Sequence, residues 1–274
     1  MIEQFDNNSM NGFYKEKNYK IHLLFCFFLL IILVGCQIGL KQVNQELFLV
    51  INEKSRFIDP SVWCSLTLFG DTSVLWPMLL LFMWHCPRTV FAAISAIPLG
   101  GILSVALKHL FDAPRPAILS DTFDITILGP VLTGNGFPSG HTITAFAAAC
   151  AVIMTIEYAS SIQQKIVSYS VLILAILVGL SRIMVGAHWP YDVLAGAFVG
   201  WIGGISGVIL ARRLDMFWEK GTIQWITILL LWLLSVGNLF REFDYPLGTP
   251  AVWISCLMAT LGLILFFLSL RKKQ

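Results

Sequence analysis

The chain has 274 residues, 57% of them hydrophobic and only 12% charged, with a mean hydropathy of +0.78. A soluble domain carries about 25% charged residues, so the composition fits a chain whose solvent is the lipid bilayer. A net charge of +2 is too small to suggest nucleic acid as a partner, and the six cysteines show neither metal-ligand spacing nor a disulfide framework.

Residues 1–20 are polar and read as a cytoplasmic tail. Apolar runs follow at about 21–40, 71–86, 89–110, 139–157, 166–182, 189–211, 222–240 and 250–270. A spanning helix takes about 20 residues, and 17 can suffice. The run at 71–86 is short and interrupted by Pro77. Leu33-Val34-Gly35-Cys36 resembles a lipoprotein cleavage box, but the apolar run continues past Cys36, so the segment reads as an uncut first span. Between the first two runs, ELFLVIN and SVWCSLTLF are too short to span. They read as helices lying in the interface with Trp63 at headgroup level, or else as a packed surface loop. The expected fold is an all-α polytopic transmembrane bundle of about eight spans. Its segments are the tail 1–20, a first span and outer segment 21–70, a core 71–211, and a C-terminal hairpin 212–274.

With the amino terminus cytoplasmic, eleven of the 18 Lys and Arg residues fall on the cytoplasmic side, as the positive-inside rule favours. Lys108, Arg115 and Arg182 are among the exceptions, and they do not fall at random. Lys108 and Arg115 end the third span in KHLFDAPRP. Ser139 and His141 open the fourth in GFPSGH. Arg182, His188 and Asp192 flank the join of the fifth and sixth in SRIMVGAHWPYD. All three clusters fall on the same, outer face, and charged groups bordering spans point to function.

Each cluster has a chemical and a plain reading. Pro114 and Pro116 hold Arg115 in an extended pose suited to bidentate phosphate recognition, with Lys108 as a point charge. The plain alternative is a pair of snorkelling cations. Pro138 pre-sets a helix start whose free N–H groups and dipole cradle an anion. Gly140 admits an oxyanion close to the backbone, Ser139 adds a hydroxyl, and His141 can protonate a leaving oxygen; alternatively this is a helix cap with an interfacial histidine. His188 and Asp192 are four apart on one helical face, a base with its orienting acid. They could instead ligate a metal, or Asp192 could pair with Arg182. The nearby cations disfavour the metal. Three cations, a helix amino terminus, two histidines and one acid suit a phosphoryl group attacked by one histidine and released with help from the other.

The three blocks resemble the signature of the type-2 phosphatidic-acid phosphatase superfamily, which is shared with vanadium-dependent haloperoxidases. They read Lys108, six residues, Arg115-Pro116; then Pro138-Ser139-Gly140-His141; then Ser181-Arg182, five residues, His188, three residues, Asp192. Every position matches in order, over about residues 60–212. The resemblance implies that His188 is the nucleophile forming a phosphohistidine, that Asp192 orients it, and that His141 protonates the leaving group. Lys108, Arg115, Ser139, Gly140 and Arg182 would bind phosphate. No metal or other cofactor is implied.

The expected function is hydrolysis of a membrane lipid phosphate: undecaprenyl diphosphate, phosphatidate, phosphatidylglycerol phosphate or lipid A phosphate. A lipid phosphotransferase and a non-enzymatic anionic-lipid binding or transport protein are the alternatives. Short loops, the Lys and Arg bias and outer loops without Asn-X-Ser/Thr sequons point to a bacterial inner membrane, with the site on the outer face and both termini cytoplasmic. Six spans are usual for the family. The extra hairpin after residue 212 is either a structural brace or a substrate wall, and loop 117–137 is expected at the rim of the site.

Overall fold

The computed structural model describes residues 40–156 and 161–271. The chain divides into two units, Met1–Lys41 and Gln42–Gln274, and apart from Lys41 itself the second holds all the features below. The expected tail, nearly all of the run 21–40, and Cys36 lie outside the described residues.

The helices, in chain order, are α1 (Lys41–Glu53), α2 (Pro60–Leu68), α3 (Thr72–Met78), α4 (Pro87–Phe111), α5 (Gly140–Thr155), α6 (Ser161–Met184), α7 (Pro190–Arg213), the single turn α8 (Asp215–Trp218), α9 (Gly221–Gly237) and α10 (Thr249–Arg271). Proline opens α2, α4 and α7, a position where its missing N–H leaves no bond unmade. Among the described residues five stretches are long and apolar enough to cross a membrane, those built on α4, α6, α7, α9 and α10, and a bent pair before α4 makes six if it is one span. The chain is a multi-pass membrane protein with the expected helical-bundle fold.

The segment before α4 departs from the sequence reading. α2 and the stretch Thr72–Phe82 form a pair bent by 74° at a short break. Asp71 causes the break by starting a new helix, its carboxylate accepting the Ser73 N–H at 2.8 Å. Gly70, just before it, lets the bend press on α5 and α6, since a Cβ there would lie 2.8 Å from His141 Cβ and 2.7 Å from Val178 Cγ1. Trp63 does not sit at a free interface. It is 5% exposed, packed in a core cluster with Val74, Val185 and Tyr245, and its indole N–H donates to Ser55 O at 3.1 Å. A buried partner for the N–H removes the reason to seek headgroup water.

The centre of the bundle is α7 packed along α4 and α5. Its glycines make this possible. A Cβ at Gly204 would lie 2.5 Å from Cys150 Cβ, and one at Gly200 would lie 2.9 Å from Phe146 Cβ, both on α5; Gly203 faces Gly100 of α4 at 3.4 Å. Small residues allow close backbone approach where lipid supplies no hydrophobic drive between helices. Helix α5 has only 16 residues and is lined with buried alanines. The hairpin α9–α10 packs on the bent pair, where Gly262 faces the Leu80 backbone. Its outer surface carries exposed Leu230, Trp253 and Leu257, as a lipid-facing wall requires.

Candidate active site

The middle block sits at the start of α5. Ser139 is the N-cap in extended conformation, with no capping bond from its side chain. The first-turn N–H groups of a helix lack intrahelical partners and favour an anion. Ser139 is fully buried, and its Oγ accepts a bond from Thr142 Oγ1 at 2.9 Å. That leaves the Ser139 hydroxyl hydrogen available to a further acceptor. A Cβ added at Gly140 would meet nothing within 4 Å, so the space over this turn is open.

The third block wraps around the end of α6. Gly186 has φ +74°, and a Cβ there would strike the Thr126 carbonyl, so only glycine fits this turn. The reversal lets the N–H groups of Ala187 and His188 both donate to Arg182 O, at 3.0 and 3.1 Å. Asp192, in the first turn of α7, then reaches back. Its Oδ2 accepts the Trp189 N–H at 3.0 Å and lies 3.3 Å from His188 Nδ1. Both side chains are buried. An acceptor at Nδ1 assigns the proton there and leaves the Nε2 lone pair facing the site.

The first block supplies the cations. Helix α4 stops at Phe111, and Asp112 adopts a left-handed turn at φ 34°, so Lys108 is helical and Arg115 is extended (φ −97°, ψ 164°), as the flanking prolines predict. The Arg115 guanidinium donates to Gly134 O at 2.8 Å, Ala187 O at 3.1 Å and Asn135 O at 3.3 Å. Its Nη1 lies 3.3 Å from His188 Nε2. Arg182 differs: it is 3% exposed, yet its Nε and Nη1 have no hydrogen-bond partner among the described residues. Burial, then the charges of Arg182 and Arg115, hold the His188 imidazole well below its ordinary pKa of 6.5, with smaller contributions from His141 and Lys108. His141 is half-buried and lines a cavity of about 340 Å³ together with Gly70, Ile97, Gly100, Ser104 and Thr144.

The structure thus brings residues of all three blocks together. Direct contacts link Arg115 to His188, and His188 to Asp192. A backbone bond of 3.0 Å from Ser139 N to Asp192 O links the middle and third blocks. Lys108 joins them through its charge, one of the smaller causes that lower the His188 pKa. Among the described residues no group of three His, Cys, Asp or Glu is placed to hold a metal ion. Sequence reasoning missed Asn52, whose side chain bonds Thr126, Ile183 and Met184, and Tyr245, whose ring lies under Arg182. Neither lies near a motif, so only the fold could reveal them. Thr142 was findable, since a hydroxyl three residues after an N-cap serine faces it across one turn.

Residues 89–216 match the family model of the PAP2 superfamily. The crystal structure of LpxE from Aquifex aeolicus superposes with a TM-score of 0.53 at 32% identity, over 61% of this chain and 95% of that one. The chain belongs to the PAP2 superfamily. Its PAP2 block contains all eight candidate site residues. A lipid A 1-phosphatase from Rhizobium etli is 34% identical over 123 residues, which are 43% of this chain and 49% of that protein; the chain spans about half the length of that relative. An undecaprenyl-diphosphatase from Sulfolobus acidocaldarius is 28% identical over 197 residues, 70% of this chain and 91% of that one.

Proposed function

We propose that this PAP2 chain is a membrane lipid phosphatase that hydrolyses the terminal phosphate of a lipid phosphomonoester or diphosphate through a phosphohistidine. One arrangement carries the reading. The buried His188 has its Nδ1 on Asp192 and its Nε2 lone pair beside Arg115, next to Arg182, whose Nε and Nη1 have no hydrogen-bond partner among the described residues. Such a set binds a phosphoryl dianion and presents a nucleophile to it.

A phosphoryl oxygen entering the cage takes the Arg115 N–H and frees the Nε2 lone pair. Arg182, Lys108, the Ser139 hydroxyl and the N–H groups around Gly140 hold the other oxygens. Nε2 attacks phosphorus, the bond from phosphorus to the lipid oxygen breaks, and His141 gives that oxygen its proton. Water then attacks the phosphohistidine, His141 takes the water's proton, and phosphate leaves with Nε2 restored. No step in this scheme calls on a metal. On this reading the cavity lined by His141, the residue given the leaving oxygen, would receive the lipid portion from the bilayer at the outer face of the inner membrane.

The test is phosphate release by the purified protein in detergent with excess EDTA. The substrates are undecaprenyl diphosphate, phosphatidate, phosphatidylglycerol phosphate and lipid A phosphate, with His188→Ala as control. EDTA-resistant release lost in the variant supports the reading, and the best substrate names the lipid. Release seen only when an acceptor lipid is added identifies a phosphotransferase. Lipid binding without either reaction identifies a binding or transport protein.

A further inference from the structure

Tyr245 lies outside the matched block 89–216, in the connection between α9 and α10. The residue is nevertheless only 4% exposed, and the Arg182 Cζ stands 5.2 Å from the ring centroid. A guanidinium within about 6 Å of an aromatic face is attracted by the ring quadrupole, more strongly where both are desolvated. Arg115 shows the contrast. Three backbone carbonyls fix its plane, whereas Nε and Nη1 of Arg182 have no such partners among the described residues. Something other than hydrogen bonds at those two nitrogens must orient Arg182.

We propose that Tyr245 is a positioning residue for Arg182, fixing the guanidinium from one face and leaving its N–H edge to a phosphoryl oxygen. The inference rests on the reading of Arg182 as a phosphate ligand. The ring is itself held in place. Gly129, at φ +107°, packs against it so closely that a Cβ would lie 2.6 Å from Tyr245 Cε1. The Tyr245 carbonyl accepts the Gly248 N–H at 2.9 Å. The connection is tied to the start of α3 by Asn238 Nδ2 donating to Ser73 O at 2.7 Å and by Arg241 Nη1 donating to Ser73 Oγ at 3.1 Å. The hairpin is therefore a brace that reaches a site residue, and the PAP2 block is incomplete without it.

The experiment uses the full chain in detergent and reads kcat/KM for lipid phosphate together with inhibition by inorganic phosphate. Tyr245→Leu should weaken phosphate inhibition and lower kcat/KM, each by about 5- to 30-fold. Tyr245→Phe, which keeps the ring, should recover most of that loss. In an Arg182→Gln background Tyr245→Leu should add little, because the partner is already gone. Should Tyr245→Leu fail to fold, Tyr245→Met carries the same test with a flexible side chain of similar reach. Unchanged phosphate inhibition in a folded Tyr245→Leu, or an equal loss in both backgrounds, overturns the proposal. A wild-type chain that releases no phosphate, or an Arg182→Gln variant with unaltered phosphate inhibition, overturns the functional reading and this proposal with it. That result is distinct from an active enzyme indifferent to Tyr245.

Discussion

The backbone N–H of Ser139 donates to the carbonyl oxygen of Asp192 at 3.0 Å, joining the start of α5, the proposed anion-binding turn, to the helix whose Asp192 meets His188. This bond needs α5 and α7 in near contact, and Gly196 permits it. A Cβ at Gly196 would lie 2.7 Å from Ser139 O and 2.9 Å from Thr142 Cβ. Gly196→Leu should therefore separate the two elements. Overpacking of this kind costs about 1–3 kcal/mol, so the expected outcome is a lower unfolding midpoint in detergent together with a loss of phosphate release.

Gly140→Ala tests the opposite case. Beyond its chain neighbours and its own helix backbone the added methyl meets nothing within 4 Å, so thermal stability should stay close to wild type. The methyl would stand in the space assigned to a phosphoryl oxygen. Phosphate release should fall and inorganic phosphate should inhibit less. A variant with full activity would remove Gly140 from the binding site.

Asp192→Asn keeps the shape but changes what Nδ1 of His188 faces. The amide can present its own N–H there and favour the tautomer with Nε2 protonated, which has no lone pair for phosphorus. Loss of turnover on the order of 10³–10⁴ is expected by analogy with other acid–histidine pairs, with KM little changed. Steady-state kinetics on the best lipid substrate would show it.

The pH dependence has a definite sign. Burial and the Arg182 and Arg115 charges hold the His188 pKa well below 6.5, so the imidazole stays neutral and nucleophilic as pH falls through that value. The acid limb of the kcat/KM profile, which reports the free enzyme, should lie below pH 6.5. Arg182→Gln removes the second-largest cause and should move that limb to higher pH. An acid limb that ignores the substitution would separate it from His188.

Asn52, on α1, is 1% exposed. Its Nδ2 bonds the carbonyls of Thr126, Ile183 and Met184, and its Oδ1 accepts the Thr126 N–H at 2.7 Å. It thus fastens the loop 117–137 to the end of the helix that carries Arg182. Asn52→Ala leaves these buried groups unpaired, at a cost of about 1–3 kcal/mol. A lower unfolding midpoint should accompany weakened phosphate inhibition as the Arg182 end of α6 loosens.

The sequence by itself determined the membrane solvent, the helical class and the candidate residues of the three blocks. Those follow from local properties: run length against bilayer thickness, proline at helix starts, and i, i+4 spacing on one helix face. It could also anticipate that Arg115 is extended, because the prolines beside it act within one or two residues. Only the tertiary structure decided what holds those residues in place. The bend at Gly70 and Asp71, the buried position of Trp63, the clamp of Asn52 and the ring of Tyr245 under Arg182 all depend on partners far along the chain. No periodicity encodes them, since a side chain meets such a partner only after the helices have packed.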